Sequence, residues 1–272
     1  RLSSVDVFSL GDQMATIIDQ VTLRTGVADW LNRSDLTDAQ IDDFVAIGEA
    51  RVYEELRVPP LEVVQSFTVT ATNSSIIIPA GFIEIIELKL DGGADKDDDV
   101  ILSRVDSKTF SNNKIKHAYT RQAGNFLLTN NEGEQSAGGT YVMTYYKAGD
   151  SIGTYSSTAT TAGNFVVDKY YKITTAGDTS FTGIGAANNN VGTIFKATGV
   201  GSGTGTAYQE SVPWILGTEF EAILYATCQV ASIYLGDVEM EAKFTELTQR
   251  KIDALNQKEI RASMKGSAFS AQ

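Results

Sequence analysis

Apolar residues recur along this chain with two different periods, and the switches between them separate helical ends from a β-rich middle. In "LTDAQIDDFVAIGEARVYEELRVPP" the positions Ile41, Phe44, Val45, Val52 and Leu56, with the small Gly48 between them, follow the spacing of one helix face. Thr37 with Gln40 three residues on predicts a capping box at the start, and Pro59 and Pro60 stop the run. An earlier stripe, Met14, Ile17, Ile18 and Val21, predicts a shorter helix packed against it. Helical spacing returns over residues 218–257, where Phe220, Ile223, Leu224, Cys228, Ala231 and Leu235 share a face behind a second capping pair, Thr218 with Glu221. Gly236 and Asp237 interrupt it, and Met240, Phe244, Leu247 and Leu255 begin a new stripe. This predicts two tightly joined helices or one kinked helix.

From about residue 63 the period falls to two. "SFTVTAT", "SIIIPA", "IEIIELKL", "DVILSRV", "NFLLTN" and "TYVMTYYKA", separated by Gly, Asn and Asp clusters, predict an antiparallel β region. The acidic stretch "DGGADKDDD" between two of these strands lacks the residue order and closing glutamate of a calcium-binding hand, so it reads as a solvated hairpin tip.

Composition changes again after the last of these strands. From Gly163 to Gln209 only five residues carry charge, Asp168, Lys169, Lys172, Asp178 and Lys196, while nine are glycine. "VVDKYYKITTAG", "TSFTGIGA" and "GTIFKATGV" alternate apolar and polar residues as short strands do. "GVGSGTGTAYQ" lacks the lysine and the following helix of a phosphate loop, and its glycines recur too closely for a dinucleotide fingerprint. Phe165, Tyr170, Tyr171, Phe181, Phe195 and Tyr208 are too many aromatics for a solvated linker. The stretch therefore predicts the last turn and closing strand of a small β module accepted into a host loop, which costs little closure entropy when its ends lie close together.

The predicted fold class is α+β: a helical bundle built from N- and C-terminal helices, an antiparallel β region in the middle and an inserted small all-β module. Its parts are residues 1–62 (helical), 63–150 (antiparallel β), 151–209 (the module), 210–257 (helices completing the bundle) and 258–272, an extended tail rich in small residues that frays unless a partner holds it.

A net charge of −12, from 34 acidic and 22 basic residues, opposes a surface whose task is gripping a phosphate backbone. No apolar run approaches the roughly 20 residues of a membrane helix, and no signal peptide pattern is present, which predicts a soluble chain. Cys228 and His117 are the only residues of their types, so neither a disulfide framework, a thiolate zinc cluster nor a cysteine–histidine nucleophile is predicted. Glu54, Glu55, Asp97, Asp98 and Asp99 lie on a helix face or in a charge run where solvation accounts for them, and His117 sits at a strand start. No enzyme, cofactor or metal site is predicted.

"LNRSDLTDAQIDDFVAIGEARVYEELRVPPLE" resembles the N-terminal helical signature of head-to-tail adaptor (connector) proteins of tailed bacteriophages, especially short-tailed ones. "HAYTRQAGNFLLTNNEGEQSAGGTYVMTYYKAG" is similar to that family's β hairpin, and "EFEAILYATCQVASIYLGDVEMEAKFTELTQRKIDAL" to its closing helices. "KYYKITTAGDTSFTGIGAANNNVGTIFKATGVGSGTGTA" resembles a small β domain that recurs in phage structural proteins. The resemblance implies a virion structural protein made in the host cytoplasm. It would form a ring, typically of twelve copies, beneath the portal protein, joining the capsid to the tail nozzle protein and lining a DNA exit channel without binding DNA specifically. It further implies that the C-terminal segment docks on the portal, which here falls to Arg261, Met264, Lys265 and Phe269. Tyr225, Val230 and Tyr234 lie outside the main helix stripe and are candidates for a face between subunits. The module would project outward toward a tail fibre or a neighbour. The alternative is a virion-surface decorating or carbohydrate-binding protein acting through the module's aromatic rings.

Overall fold

Capping and packing residues set the first helices. The computed structural model describes residues 17–93, 99–112, 115–130, 132–135 and 137–266, with residues 112 and 259–266 described by backbone alone. Helix α1 (Gln20–Leu31) begins at Asp19, whose carboxylate accepts from the Thr22 N–H at 2.8 Å while the Thr22 hydroxyl accepts from the Asp19 N–H at 3.1 Å. This reciprocal box moves the helix later than the apolar stripe predicts. Ile17 and Ile18 precede it, Met14 lies outside the described residues, and the buried face is Gln20, Leu23 and Val27. Helix α2 (Asp38–Glu55) follows the expectation: Thr37 and Gln40 form the box, and Ile41, Phe44, Val45 and Val52 are buried.

After the long β segment, α4 (Trp214–Thr218) and α5 (Phe220–Leu235) follow in quick succession. The second predicted capping box does not form, because Thr218 closes α4 by donating its hydroxyl to the Trp214 carbonyl at 2.8 Å. Burial of Ile215 and Leu216 anchors that extra turn and uses up the residue meant for the cap. Gly236 ends α5 in the left-handed conformation at φ 71°, and α6 (Val238–Gly266) starts with the Asp237 carboxylate accepting from the Met240 N–H at 3.0 Å. The break at Gly236 and Asp237 therefore separates two helices. Residues 258–266 continue α6 and are helical rather than extended, because the segment "KEIRASM" offers good helix formers and meets no glycine until Gly266.

The chain forms two compact units. One comprises the described residues up to Val52 together with Asp150–Ile252, and the other Tyr53–Gly149 together with the described residues from Asp253 onward. In the first, α1, α2, α5 and the start of α6 pack through aromatic contacts: Trp30 meets the Tyr225 ring edge-on at 5.4 Å, Phe244 lies 6.2 Å from Trp30, and Phe44 lies 5.2 Å from Tyr234. Helices α2 and α5 touch backbone to backbone at Gly48, where an added Cβ would lie 2.9 Å from the Thr227 nitrogen and 3.0 Å from the Ala226 carbonyl carbon. Gly48→Val is therefore expected to force the helices apart and destabilise this unit by about 2 kcal/mol. Urea denaturation followed by Trp fluorescence measures this, and a cost near zero would mean that the helices do not meet there.

The same unit carries the glycine-rich segment as a sheet of β9 (Tyr155–Thr161), β10 (Tyr170–Thr175), β11 (Ile194–Lys196) and β12 (Thr206–Glu210), in the order β11-β10-β12-β9. Tyr171 pairs with Phe195, and Ala207 pairs with both Ile173 and Thr160. Phe165, Tyr171, Ile173, Phe181 and Phe195 form its buried core. "TSFTGIGA" is not a strand as predicted. Phe181–Ile184 makes a 3-10 turn, since its apolar residues stand three apart and both enter the core. Gly203, in the opening turn of the closing strand, has φ 109°, and a Cβ there would lie 2.6 Å from Asp178 Oδ1. That oxygen accepts from the Thr204 N–H at 2.6 Å, so the glycine admits the cap that joins two loops.

The second unit holds two further sheets. β1 (Glu62–Val69), β3 (Phe82–Leu90), β4 (Val100–Ile101) and β8 (Gly139–Lys147) are ordered β1-β8-β3-β4. β2 (Ser75–Ile77), β5 (Ser103–Arg104), β6 (Ala118–Gln122) and β7 (Asn125–Leu128) are ordered β2-β7-β6-β5. All pairings are antiparallel except β5 with β6, which run parallel because the short α3 (Ser107–Asn112) lies in the crossover between them. The predicted single strand "DVILSRV" is split. Leu102 is buried with its N–H on the Leu88 carbonyl, while the Ser103 N–H reaches the His117 carbonyl, so the chain changes sheets there. Leu88, Tyr119, Phe126, Leu128, Tyr141, Met143 and Tyr145 form the core between these strands. Residues 94–98, most of the predicted acidic hairpin tip, lie outside the described residues. Among the described residues there are six α-helices and three four-stranded sheets, a mixed α+β fold.

Candidate functional site

Among the described residues the single cysteine and the single histidine lie apart, one in α5 and one just before β6. Burial pushes the Cys228 thiol up to about 12, so it carries no thiolate near neutral pH. His117 lies half-buried with φ 46° just before β6 and donates its N–H to the Asn130 carbonyl, as a strand-start residue does. No group of three or more metal-ligating side chains occurs among the described residues. Nor is any described helix long and apolar enough to cross a membrane.

The strongest polar constellation lies where the helices of the first unit meet the ends of its sheet. The Gln20 N–H donates to Glu210 Oε1 at 3.0 Å, tying the start of α1 to the end of β12. Gln20 Nε2 donates to Asp42 Oδ1 at 3.0 Å, and Arg24 grips Asp42 bidentately at 2.7 and 2.5 Å while reaching Asp38 at 3.1 Å. The bond to Asp42 holds the guanidinium pKa above its ordinary value. Glu49, 5 % exposed on α2, accepts the Ile152 N–H at 3.1 and 3.3 Å. Burial raises its carboxyl to about 7 and also raises Glu210, while burial with the nearby Glu210 charge pushes Tyr155 up to about 12. The chain leaves and returns side by side, for the Ser211 N–H donates to the Thr154 carbonyl at 2.8 Å. This arrangement is a joint: it holds both ends of the sheet against two helices.

The predicted site residues fall at separate places. Tyr225 is half-buried against Trp30 and Val230 is half-buried, whereas Tyr234 is 61 % exposed and its hydroxyl accepts from Gln40 Nε2 at 3.2 Å. Ile233, Val238 and Ile47 are also exposed on α5, α6 and α2. Arg261, Met264 and Lys265 fall at i, i+3 and i+4 along α6, and Phe269 lies outside the described residues. The joint was not foreseen, because its partners are as much as 190 residues apart and no local spacing marks them. Of the aromatics in the glycine-rich segment, Phe165, Tyr171, Phe181 and Phe195 are buried, and Tyr170 and Tyr208 half-buried. The four buried rings fill the core of this sheet.

A search of curated proteins finds no match to this chain. A family model does match: that of the SU10 adaptor protein, over residues 21–172, more than half of the chain. The match begins in α1, spans both sheets of the second unit and extends into β10. On the strength of that match the chain belongs to the SU10 adaptor protein family and is a phage adaptor, a structural component of the virion.

Proposed function

We propose that this chain is one subunit of a ring beneath the portal protein, joining the capsid to the tail nozzle and lining the DNA exit channel. The observation that carries the reading is the set of exposed apolar groups on the helices of an adaptor: Ile47, Ile233, Tyr234 and Val238 are 58, 55, 61 and 72 % exposed. A closed ring requires each subunit to bury one surface patch against a different patch of its neighbour. Tyr234 belongs to such a patch, whereas Tyr225 serves the subunit's own packing against Trp30. The net charge of −12 suits a channel wall along which DNA slides without being held.

In this reading the C-terminal end of α6 and residues 267–272 dock on the portal, with Arg261, Met264, Lys265 and Phe269 as contacts. Residues 151–209 are an inserted module carried on the joint at Glu49 and Glu210, a role supported by the adjacent ends at Thr154 and Ser211. The module projects outward, toward a tail fibre or the next subunit. Light scattering tests the reading: the protein alone is expected to be a monomer, to enter a ring of typically twelve copies when portal is added, and to lose that ability when residues 258–272 are removed. A chain that stays monomeric with portal refutes it.

A further inference from the structure

In an acidic chain most arginines find carboxylates close by. Arg24 sits on Asp42 and Asp38, Arg33 on Asp35, Arg57 on Glu84 and Arg250 on Glu246, while Arg51 bonds Gln229. Arg104 and Arg121, both exposed, have no carboxylate within ion-pair distance among the described residues. Sheet register brings these two together. Arg104 of β5 pairs with Tyr119 of β6, and Arg121 of β6 pairs with Phe126 of β7. Because side chains alternate along a strand, Arg104, Tyr119, Arg121 and Phe126 share one face. The ring of Phe82 meets Phe126 edge-on at 5.4 Å, and the Arg121 guanidinium lies 6.0 Å from the Phe82 ring centre.

These residues, with Arg57 and Glu84, line a hollow of about 260 Å³. A second hollow, of about 450 Å³, is also lined by Arg104 and Arg121, with Asp106, Ser107 and Thr120. The nearby acids are already engaged: Glu84 holds Arg57 at 2.6 Å, and Asp106 accepts from the Thr109 N–H at 2.9 Å and from its hydroxyl. Two like charges on adjacent strands repel each other, and an arriving anion relieves that repulsion. A nucleic-acid strand is disfavoured, since phosphate backbones are held by rows of Lys and Arg, and here Glu84 and Asp106 flank only two free guanidinium groups. A single carboxylate on a short aliphatic stem suits both the size and the aromatic wall.

We propose that Arg104 and Arg121 form a receptor for an Asp or Glu side chain on an acidic segment of a partner protein, the carboxylate held by the guanidinium forks and its stem resting on Phe82 and Tyr119. The receptor does not depend on the ring reading. Its test is a nuclear magnetic resonance titration of the full chain, following the Arg Nε–H signals. The probes are a capped hexapeptide of Asp, Glu and Gly, its Asn, Gln and Gly twin, and a thymidine hexanucleotide. The acidic peptide is expected to move the Arg104 and Arg121 signals saturably while its amide twin does not. R104Q/R121Q is expected to weaken binding at least about tenfold, with R104K/R121K between the two. No saturable movement with the acidic peptide, or saturation by the hexanucleotide at lower concentration, overturns the assignment. The comparison of acidic and amide peptides uses the unaltered protein, so it decides the matter even where a variant folds poorly.

Discussion

Replacing Phe181 with alanine is expected to remove about 4 kcal/mol from the stability of the glycine-rich sheet, the usual scale for deleting a fully buried aromatic ring. The side chain is 0 % exposed and lies 5.5 Å from the ring of Phe195 and 5.9 Å from that of Phe165. Tyr171 completes the group, stacked on Phe195 at 5.9 Å, with its hydroxyl donating to Gln209 Oε1 at 3.2 Å and accepting from the Val166 N–H at 2.9 Å. The sheet is small, and its glycines add no side-chain burial, so these rings supply most of the apolar area that offsets its chain entropy. The loss should be local. Hydrogen exchange in β10 and β12 is expected to accelerate strongly in Phe181→Ala, while amides in α5, which pack on α1 and α2, keep their protection. A cost under 1 kcal/mol, or equal acceleration in α5, would show that the segment has no core of its own.

The extent to which the fold could be read in advance follows from where each element gets its stability. Helix α2 was legible because cap, stripe and stop are all local. So were most of the strands of the middle region, whose apolar residues alternate. Strand β9, "YSSTATT", carries no apolar alternation and exists because Thr160 and Ala159 pair with Ala207 and Tyr208 of β12. The split of "DVILSRV" at Leu102 depends on which sheet offers a free edge, a tertiary matter. Arg104 and Arg121 lie seventeen positions apart, and only the parallel register of β5 on β6 makes them neighbours. For the adaptor assignment, the first helical segment and the β hairpin segment lie within the family match over residues 21–172, while the closing helices lie beyond it. The proposed contacts of the α6 end lie with partners, and no spacing within one chain identifies a partner.

Glu49 is expected to make the first unit less stable as pH rises from 5 to 8. In the unfolded chain its carboxyl titrates at its ordinary value of 4.5, and in the folded chain at about 7. The cause is burial, which penalises the charge, partly offset by the Ile152 N–H that the carboxylate accepts. The folded state therefore binds this proton more tightly than the unfolded state. Its contribution is fully present below pH 4.5 and is lost as pH climbs through 7, on the order of 3 kcal/mol in all. Glu210 is shifted in the same direction and adds to the slope. Glu49→Gln keeps an acceptor for Ile152 and removes the charge, so the variant is expected to match the parent at pH 5 and to exceed it by about 2 kcal/mol at pH 8. Urea denaturation at several pH values measures both slopes, and the carboxyl carbon resonance of Glu49 reports its midpoint directly. Parallel slopes in parent and variant would mean that Glu49 is solvated and that the joint carries no buried charge. A steeper parent slope would make the attachment of the sheet to the helices responsive to pH near neutrality, because the group that titrates is the one that holds Ile152 at the start of the sheet.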